Sequence, residues 1–587
     1  MRFMFRYVKP YTLRVIITIL LKAFASFAEL FMPYVLEYML DTVAPTKNMG
    51  MVFACGGVML GIAAIILTVN IGANRMAVFT AKNCSYTIRK DLFWKSLQLS
   101  GNKFDEFGLP SITARMTSDS YNMQDFIRMF QSIGIRAPLM LIGGIVVSMM
   151  MDTGLGLILC VLAPITVAAV LILSFKGIPL YDKVQQSVDE ISLVMRENIT
   201  GIRVVKALSK EKYERGRFQK ANETMIKRDR KAGTIMALPG PAMTLFLNIG
   251  FVLVVIIGAY RVNGGVTEPG VILAFLTYFN MILMGAMGLS RVLLMMSKAN
   301  ASSNRIKLVV DQPDELLPIP ESEAAKTDSE AFIKFENVSF NYGESSKHEH
   351  RQKENFAGEE RQKSLDNISF EVNKGTSLGI IGPTGCGKTT IINLLMRFYD
   401  ASEGNIFVEG KDIRTYTLTD LRRKFGVVFQ NDMVFADSIA DNISFGRDVD
   451  RDRIKQAADD ACASEFIEAY EDGYDHMSAA HGANFSGGQK QRILVSRALA
   501  DNSEILVLDD SSSALDYKTD AALRKAIREN YDSTTIIIAQ RVSSIMMLDQ
   551  IIVMDDGKII GIGTHEKLMA ECKEYQDIYK IQMGEEV

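Results

Sequence analysis

A chain of 587 residues is too long for a single hydrophobic core and should divide into two or more domains. Apolar residues make up 48% and charged residues 23%, a mixture that points to one greasy portion and one of ordinary soluble composition. The 65 Lys and Arg nearly cancel the 68 Asp and Glu, which argues against a nucleic acid partner, and six scattered cysteines without pairing or metal-ligand spacing argue against a disulfide framework.

In chain order, runs near twenty apolar residues occur at 15–36, 52–72, 133–151, 155–175, 236–260 and 271–296, and each is long enough to cross a bilayer as a helix. The first run is followed by charged residues and a proline instead of a small-residue cleavage site, so it is expected to act as its own membrane signal. Six is an even number, which places both termini on one side. The long stretches 79–131 and 176–235 carry Lys82, Arg89, Lys90, Lys95, Arg196, Arg203, Lys206 and Lys210, and the amino end carries Arg2, Arg6 and Lys9. By the positive-inside rule these segments are cytoplasmic, and the short segments near 41–50, 152–154 and 262–270 face the other side. Few Gly or Pro interrupt the long stretches, so the membrane helices should continue into the cytoplasm as stalks.

Lys22 and Glu29 lie seven residues apart in the first span, on nearly one helix face. An ion pair inside the bundle is the expected reading, and a polar patch in a substrate cavity is the alternative; Arg291 in the last span is read the same way. Met281, Met284, Met287, Met295 and Met296 offer pliant, polarizable surface that suits varied apolar ligands or serves as plain filler.

Residues 311–330, rich in Pro, Glu, Asp and Ser without periodicity, read as a linker. Strand alternation follows at Ile333, Phe335, Val338 and Phe340, and the charged tract 343–364 then reads as a solvated insertion that cannot bury a core. A short apolar strand, Leu378-Gly379-Ile380-Ile381, leads into Gly382-Pro383-Thr384-Gly385-Cys386-Gly387-Lys388-Thr389, and Thr390 continues a helix. This strand–loop–helix order is what a P-loop requires. Backbone N–H groups converge on phosphates at a helix N-terminus, Lys388 reaches the β- and γ-phosphates, and the Thr389 hydroxyl binds Mg²⁺. Further on, Phe485-Ser486-Gly487-Gly488-Gln489 opens a second helix N-terminus suited to a phosphate held by a partner's P-loop, and Ile505-Leu506-Val507-Leu508 ends in the acidic pair Asp509-Asp510.

The set formed by 382–389, Gln430, 485–489, Leu508-Asp509 and Ser513-Ala514-Leu515-Asp516, in this order after six spans, closely resembles a half-transporter of the ABC exporter family. Arg6-Tyr7-Val8-Lys9-Pro10-Tyr11 resembles that family's elbow helix, and the segments around 104–119 and 196–206 resemble its two coupling segments. The resemblance implies a six-helix all-α transmembrane domain over 1–310 with long cytoplasmic stalks, the linker 311–330, and an α/β P-loop nucleotide-binding domain over 331–587. It also implies that ATP and Mg²⁺ bind, that two halves sandwich two nucleotides, and that the chain is a multi-pass protein of the cell membrane. By the same resemblance Tyr342 stacks on adenine, Gln430 touches Mg²⁺ and relays to the coupling helices, Asp509 holds Mg²⁺ through water, and Asp516 links the two sites across the dimer.

Two positions depart from the family pattern. Asp510 stands where a glutamate normally polarises the attacking water, and Gln540, after the strand Thr534-Thr535-Ile536-Ile537-Ile538-Ala539, stands where a γ-phosphate-sensing histidine is normal. Glutamine donates a hydrogen bond but carries neither charge nor proton. These departures resemble the degenerate-site subunit of bacterial heterodimeric multidrug exporters. The expectation is therefore ATP binding with weak hydrolysis here, a partner half-transporter supplying the competent glutamate and histidine, and export of lipophilic compounds, drugs foremost. A slow homodimeric exporter of lipid or peptide and an ATP-gated membrane regulator are the alternatives.

Overall fold

The computed structural model describes residues 1–314, 316–342, 363–511 and 513–583. Nearly all of the charged tract 343–364 therefore lies outside the described residues. The chain folds as two compact units: Met1–Leu97 with Pro110–Gln312, and Gln98–Leu109 with the chain from Pro313 onward. Residues 98–109, inside the stretch assigned above to the membrane domain, thus belong with the second unit.

The first unit is all helical. Its main helices are α1 (Thr12–Tyr38), α2 (Met49–Gln98), α3 (Ser120–Met151), α4 (Thr153–Thr200), α5 (Glu211–Ala237), α6 (Pro239–Asn263) and α7 (Pro269–Val310). Among the described residues, six helical stretches are long and apolar enough to cross a membrane. Helices α2 and α4 run for 50 and 48 residues, about 75 and 72 Å at 1.5 Å per residue, roughly two and a half times a hydrocarbon core, so they extend well past the apolar windows as stalks.

Several polar groups inside the unit find partners across helices, while others, such as the buried Thr80 and Ser85 hydroxyls, have none among the described residues. Asp152 pairs with Arg261 at 3.1 Å, the Tyr278 hydroxyl donates to the Leu30 carbonyl at 2.8 Å, and Asp119 accepts from Arg305 and Ser302. The expected ion pair inside the bundle forms at Glu29 but not at Lys22. Lys22 donates to Asn70 Oδ1 at 2.7 Å, and Glu29 instead pairs with Arg136 of α3 at 2.6 Å. A helix-face argument sees only neighbours on its own helix, and here the adjacent helices supply the partners.

In the second unit β1 (Ile333–Phe340), β2 (Leu365–Val372), β4 (Glu403–Val408) and β5 (Lys411–Asp412) form an antiparallel sheet in the order β2-β1-β4-β5. The second sheet, in the order β10-β9-β3-β8-β7-β6, contains β3 (Ser377–Ile381), β6 (Phe425–Val428), β7 (Ile505–Asp509), β8 (Thr534–Ile538), β9 (Gln550–Asp555) and β10 (Lys558–Gly563). Strands β9, β3, β8, β7 and β6 run parallel, and β10 is antiparallel at the edge. All five residues of β7 and of β8 are buried, and the runs Ile505–Leu508 and Ile536–Ile538 are the apolar stretches expected for central strands covered on both faces.

The segment 98–109 is held to this unit by close backbone contact. Ser100 caps the short helix Gly101–Phe107, and the Gly101 N–H donates to the Phe398 carbonyl at 3.0 Å. A Cβ at Gly101 would fall 2.5 Å from the Tyr399 ring, so only glycine permits this approach. The Tyr399 hydroxyl donates to Asp105 at 2.7 Å.

Candidate nucleotide site

The strand order of the parallel sheet assembles the site. Side by side, β3, β8, β7 and β6 deliver at their C-terminal ends the P-loop, Gln540, the Asp509-Asp510 pair and Gln430 respectively. Ligands in open α/β sheets bind at this edge, where loops leave the strands. Residues 80 positions apart thereby share one cavity of about 210 Å³.

The P-loop leaves β3 and ends at α8 (Lys388–Leu395). Gly385 and Gly387 sit at φ +89° and +99°, and a Cβ at Gly387 would lie 2.5 Å from the Ser364 carbonyl. Thr384, Gly385, Gly387, Lys388, Thr389 and Thr390 line the cavity. Lys388 Nζ bridges the carbonyls of Gly382 and Pro383, each at 2.8 Å, so those two residues shape the loop from behind. Cys386 is buried with its Sγ 3.8 Å from Lys388 Nζ, and burial pushes its thiol up.

Tyr342 enters the cavity from the end of β1. Its hydroxyl touches Thr390 Oγ1 at 3.3 Å and accepts from Asn393 at 3.1 Å, while its ring meets Tyr399 edge-on at 5.2 Å. Ser364 and Ile538 complete the lining; neither stands out in the sequence, because one borders the charged tract and the other is a plain strand isoleucine.

Thr389 Oγ1 donates to Asp509 Oδ2 at 2.8 Å, and Gln430 lines the same cavity. Hydroxyl, carboxylate and amide oxygens are the hard donors that suit Mg²⁺. Among the described residues no group of three or more His, Cys, Asp or Glu could hold a metal. The donor set thus fits a Mg²⁺ carried mainly by phosphate and water, not a protein-only cage. Burial raises the Asp509 carboxyl, with neighbouring Asp510 adding to the rise and the Thr389 bond opposing it.

Asp510 follows β7 in the left-handed region at φ +51°, a conformation that aspartate tolerates better than most residues. In-register pairing of Asp509 with Ile538 sets it level with the exit of β8, and its N–H donates to the Ile538 carbonyl at 2.9 Å. Its Oδ2 accepts from Gln540 Nε2 at 3.1 Å and, more loosely, from Gln430 Nε2 at 3.4 Å. Burial raises the Asp510 carboxyl, and the Gln430 bond and the charges of Lys388 and Arg541 pull it back. The two departures singled out in the sequence therefore touch each other. Among the described histidines, none lines this cavity; His476 bonds Asp472 at 2.8 Å and His565 the Tyr575 hydroxyl at 2.8 Å.

Ser486, Gly487, Gly488, Gln489 and Asp516 are not among the residues lining this cavity. Ser486 caps α9 (Gly487–Leu499) with a full capping box: its Oγ accepts from the Gln489 N–H at 3.3 Å, and Gln489 Oε1 accepts from the Ser486 N–H at 2.9 Å. Asp516 caps α10 (Tyr517–Asn530), accepting from the Thr519 N–H at 2.9 Å. Gln491, one turn into α9, ties these regions together: its Nε2 donates to the Asp510 carbonyl at 3.2 Å and its Oε1 accepts from the Ala514 N–H at 3.1 Å. The sequence reading passed over Gln491, whose only signal is a polar side chain on a helix that soon turns inward.

Comparison with known proteins agrees with this geometry. Residues 15–287 match the model of the ABC transporter transmembrane region, and residues 365–513 match that of the ABC transporter. An uncharacterized ABC transporter ATP-binding protein of Bacillus subtilis, YfiB, is 33% identical over 584 residues, covering 99% of this chain and 98% of its own. An ATP-dependent lipid A-core flippase of Desulfotalea psychrophila is 34% identical over 436 residues, covering 74% of this chain and 73% of its own. A solved structure of a bacterial Atm1-family ABC exporter with ATP bound shares the fold at a TM-score of 0.80 and 24% identity, covering 99% of each chain. With its six-helix membrane part and its α/β nucleotide-binding part on one polypeptide, the chain belongs to the ABC transporter family.

Proposed function

We propose that this chain is one half of a heterodimeric exporter whose own ATP site binds nucleotide but cleaves it weakly. The observation that carries the reading is the Asp510 carboxylate tied to Gln540 at 3.1 Å and approached by Gln430 at 3.4 Å. The aspartate is one methylene short of a glutamate, so its oxygens stop about 1.5 Å before the reach of the longer side chain. Loss of a positioned base costs on the order of 10²–10⁴ in rate. Gln540 can orient a phosphate oxygen but cannot hold a proton for it.

ATP binding does not need either missing group. The backbone of 382–389 and Lys388 would cradle the phosphates and Tyr342 would stack on the base. Thr389, Gln430 and Asp509 would hold Mg²⁺, which when bound neutralises charge on the β- and γ-phosphates. The intact capped helix at Ser486 would present its N-terminus to the nucleotide of the partner, and Asp516 would lie at the seam between halves. Differential affinity for ATP in open and closed states would drive alternating access to a lipophilic cargo, drugs being the first class to test. The chain would sit in the cell membrane with both termini and the nucleotide-binding part in the cytoplasm.

Similarity to the lipid A-core flippase favours a second reading, a homodimer that moves lipid slowly with two impaired sites. Affinity capture of the tagged chain from its native membranes, with mass spectrometry of whatever co-purifies in equal amount, separates the two. A second half-transporter bearing the glutamate and histidine supports the heterodimer, and recovery of this chain alone overturns it.

A further inference from the structure

The membrane unit holds a cavity of about 430 Å³ between α3 and α7, with Glu29 of α1 at its wall. Drug-sized ligands occupy volumes of this order. Much of its surface is methionine, from Met140, Met281, Met284 and Met287, a lining that reshapes around acyl or aromatic bodies at little cost.

Three charged side chains share this lining: Glu29, Arg136 and Arg291. The Glu29–Arg136 pair at 2.6 Å cancels one positive charge. Arg291 has no hydrogen-bond or ion-pair partner among the described residues. Asn280 and Thr277 contribute little to a ligand, since each donates to a carbonyl of its own helix, Leu276 and Leu273 respectively. Lys22, on the helix that carries Glu29, donates to the neutral amide of Asn70 at 2.7 Å and is not part of the cavity lining. The cavity is therefore apolar over most of its wall and carries a net positive charge.

Arg291 is exposed at the cavity, so a ligand that covers it displaces its water and must supply an acceptor in return, and its planar fork matches carboxylate and phosphate oxygens. A cationic amphiphile would gain the methionine wall but lose against Arg291, and a neutral one would leave the guanidinium unpaired. We infer that this cavity takes an amphiphile with an anionic headgroup, carboxylate or phosphate, held by Arg291 with Arg136 as a second donor and its apolar body on the methionines. Glu29 acts as a resident counterion that competes with the headgroup for Arg136. The inference rests on the exporter reading and names its substrate class.

The test is equilibrium binding of radiolabelled oleate to the transporter purified in nanodiscs of neutral lipid, with oleyl alcohol and oleylamine as chain-matched competitors. Oleate should bind at least about tenfold more tightly than either competitor, the scale of one charged hydrogen bond. Arg291→Gln should erase that preference, Arg291→Lys should keep part of it, and Glu29→Gln should widen it by freeing Arg136. A purely structural role for these residues predicts no such opposite signs. Inorganic phosphate at millimolar concentration should fail to displace oleate, and lysophosphatidic acid should succeed. Equal binding of the three chains, an unchanged preference in Arg291→Gln with the fold intact by thermal unfolding, or full displacement by phosphate alone would overturn the inference. Absence of uphill transport with oleate binding intact would instead sink the exporter reading and leave the site standing.

Discussion

Replacing Asp510 by glutamate together with Gln540 by histidine tests the chemistry of the candidate site most directly. In the native chain the Asp510 carboxylate lines the cavity but is spent on two amide donors, at 3.1 and 3.4 Å, and sits on a short side chain from a backbone at φ +51°. The glutamate extends its oxygens about 1.5 Å toward the place of an attacking water. The histidine replaces a neutral amide with a ring able to carry a proton. If these are the lesions, hydrolysis at this site should rise on the order of 10²–10⁴, equivalent to about 3–5 kcal/mol of barrier. The assay is phosphate release at saturating Mg-ATP, made in an assembly whose partner P-loop lysine has been removed so that only this site turns over. Each single variant should recover less than the pair, because the two side chains touch and act on one water and one phosphate. A rise smaller than about tenfold in the double variant, with ATP binding intact, would place the block elsewhere and refute the reasoning.

Tyr342→Ala should weaken ATP binding by about 1–3 kcal/mol through lost base stacking, while Tyr342→Trp should retain most of it; nucleotide titration decides, and an unchanged affinity in the alanine variant would remove Tyr342 from the site. Gly101→Val places atoms against the Tyr399 ring and the Phe398 carbonyl, where a Cβ alone would approach to 2.5 and 2.9 Å. That overpacking should cost about 1–3 kcal/mol and raise amide exchange across 98–109 without altering exchange in the buried β7 and β8. Glu504 is held down to about 2 by hydrogen bonds from Lys424 at 2.9 Å and Lys374 at 3.0 Å. A lowered carboxyl stabilises the fold above the unfolded carboxylate range, and that contribution disappears as pH falls from 4.5 toward 2. Because the side chain is 39% exposed, solvent screening reduces its worth to about 1 kcal/mol. Glu504→Gln should therefore lower the unfolding midpoint at pH 7 and match the native chain near pH 2; an equal deficit at both pH values would refute the ionic account.

The parts of this site that were legible in the sequence are those whose function needs a local spacing. The P-loop is a strand, a turn with glycines at fixed offsets and a helix, so eight consecutive residues state their own geometry. The acidic pair and the capped helix at Ser486 are read the same way. The meeting of Gln430, Asp510 and Gln540 across 80 and 30 positions was foreseen only through family resemblance, since the order β3-β8-β7-β6 that brings them together is set by sheet pairing and leaves no periodic trace. The membrane unit shows the converse. Its six apolar spans are plain from hydropathy, and an ion pair inside the bundle is expected at Glu29, yet nothing in the sequence names its partner, Arg136, 107 positions away. Hydropathy fixes that a segment is buried in lipid or protein, while the rotation of each helix about its axis decides which ions meet.

The bridge from Gln491 to the Asp510 carbonyl and the Ala514 N–H bears on how such a site could decay over evolution. The loop that would hydrolyse this chain's own nucleotide is stitched to the helix that would serve the nucleotide of the other half. Side chains on that loop can be exchanged freely, but its backbone path cannot drift without dragging the helix N-terminus along. On the function proposed above, loss of hydrolysis would then be confined to side-chain substitutions such as those at 510 and 540, and a site that no longer cleaves ATP would keep the shape of one that does.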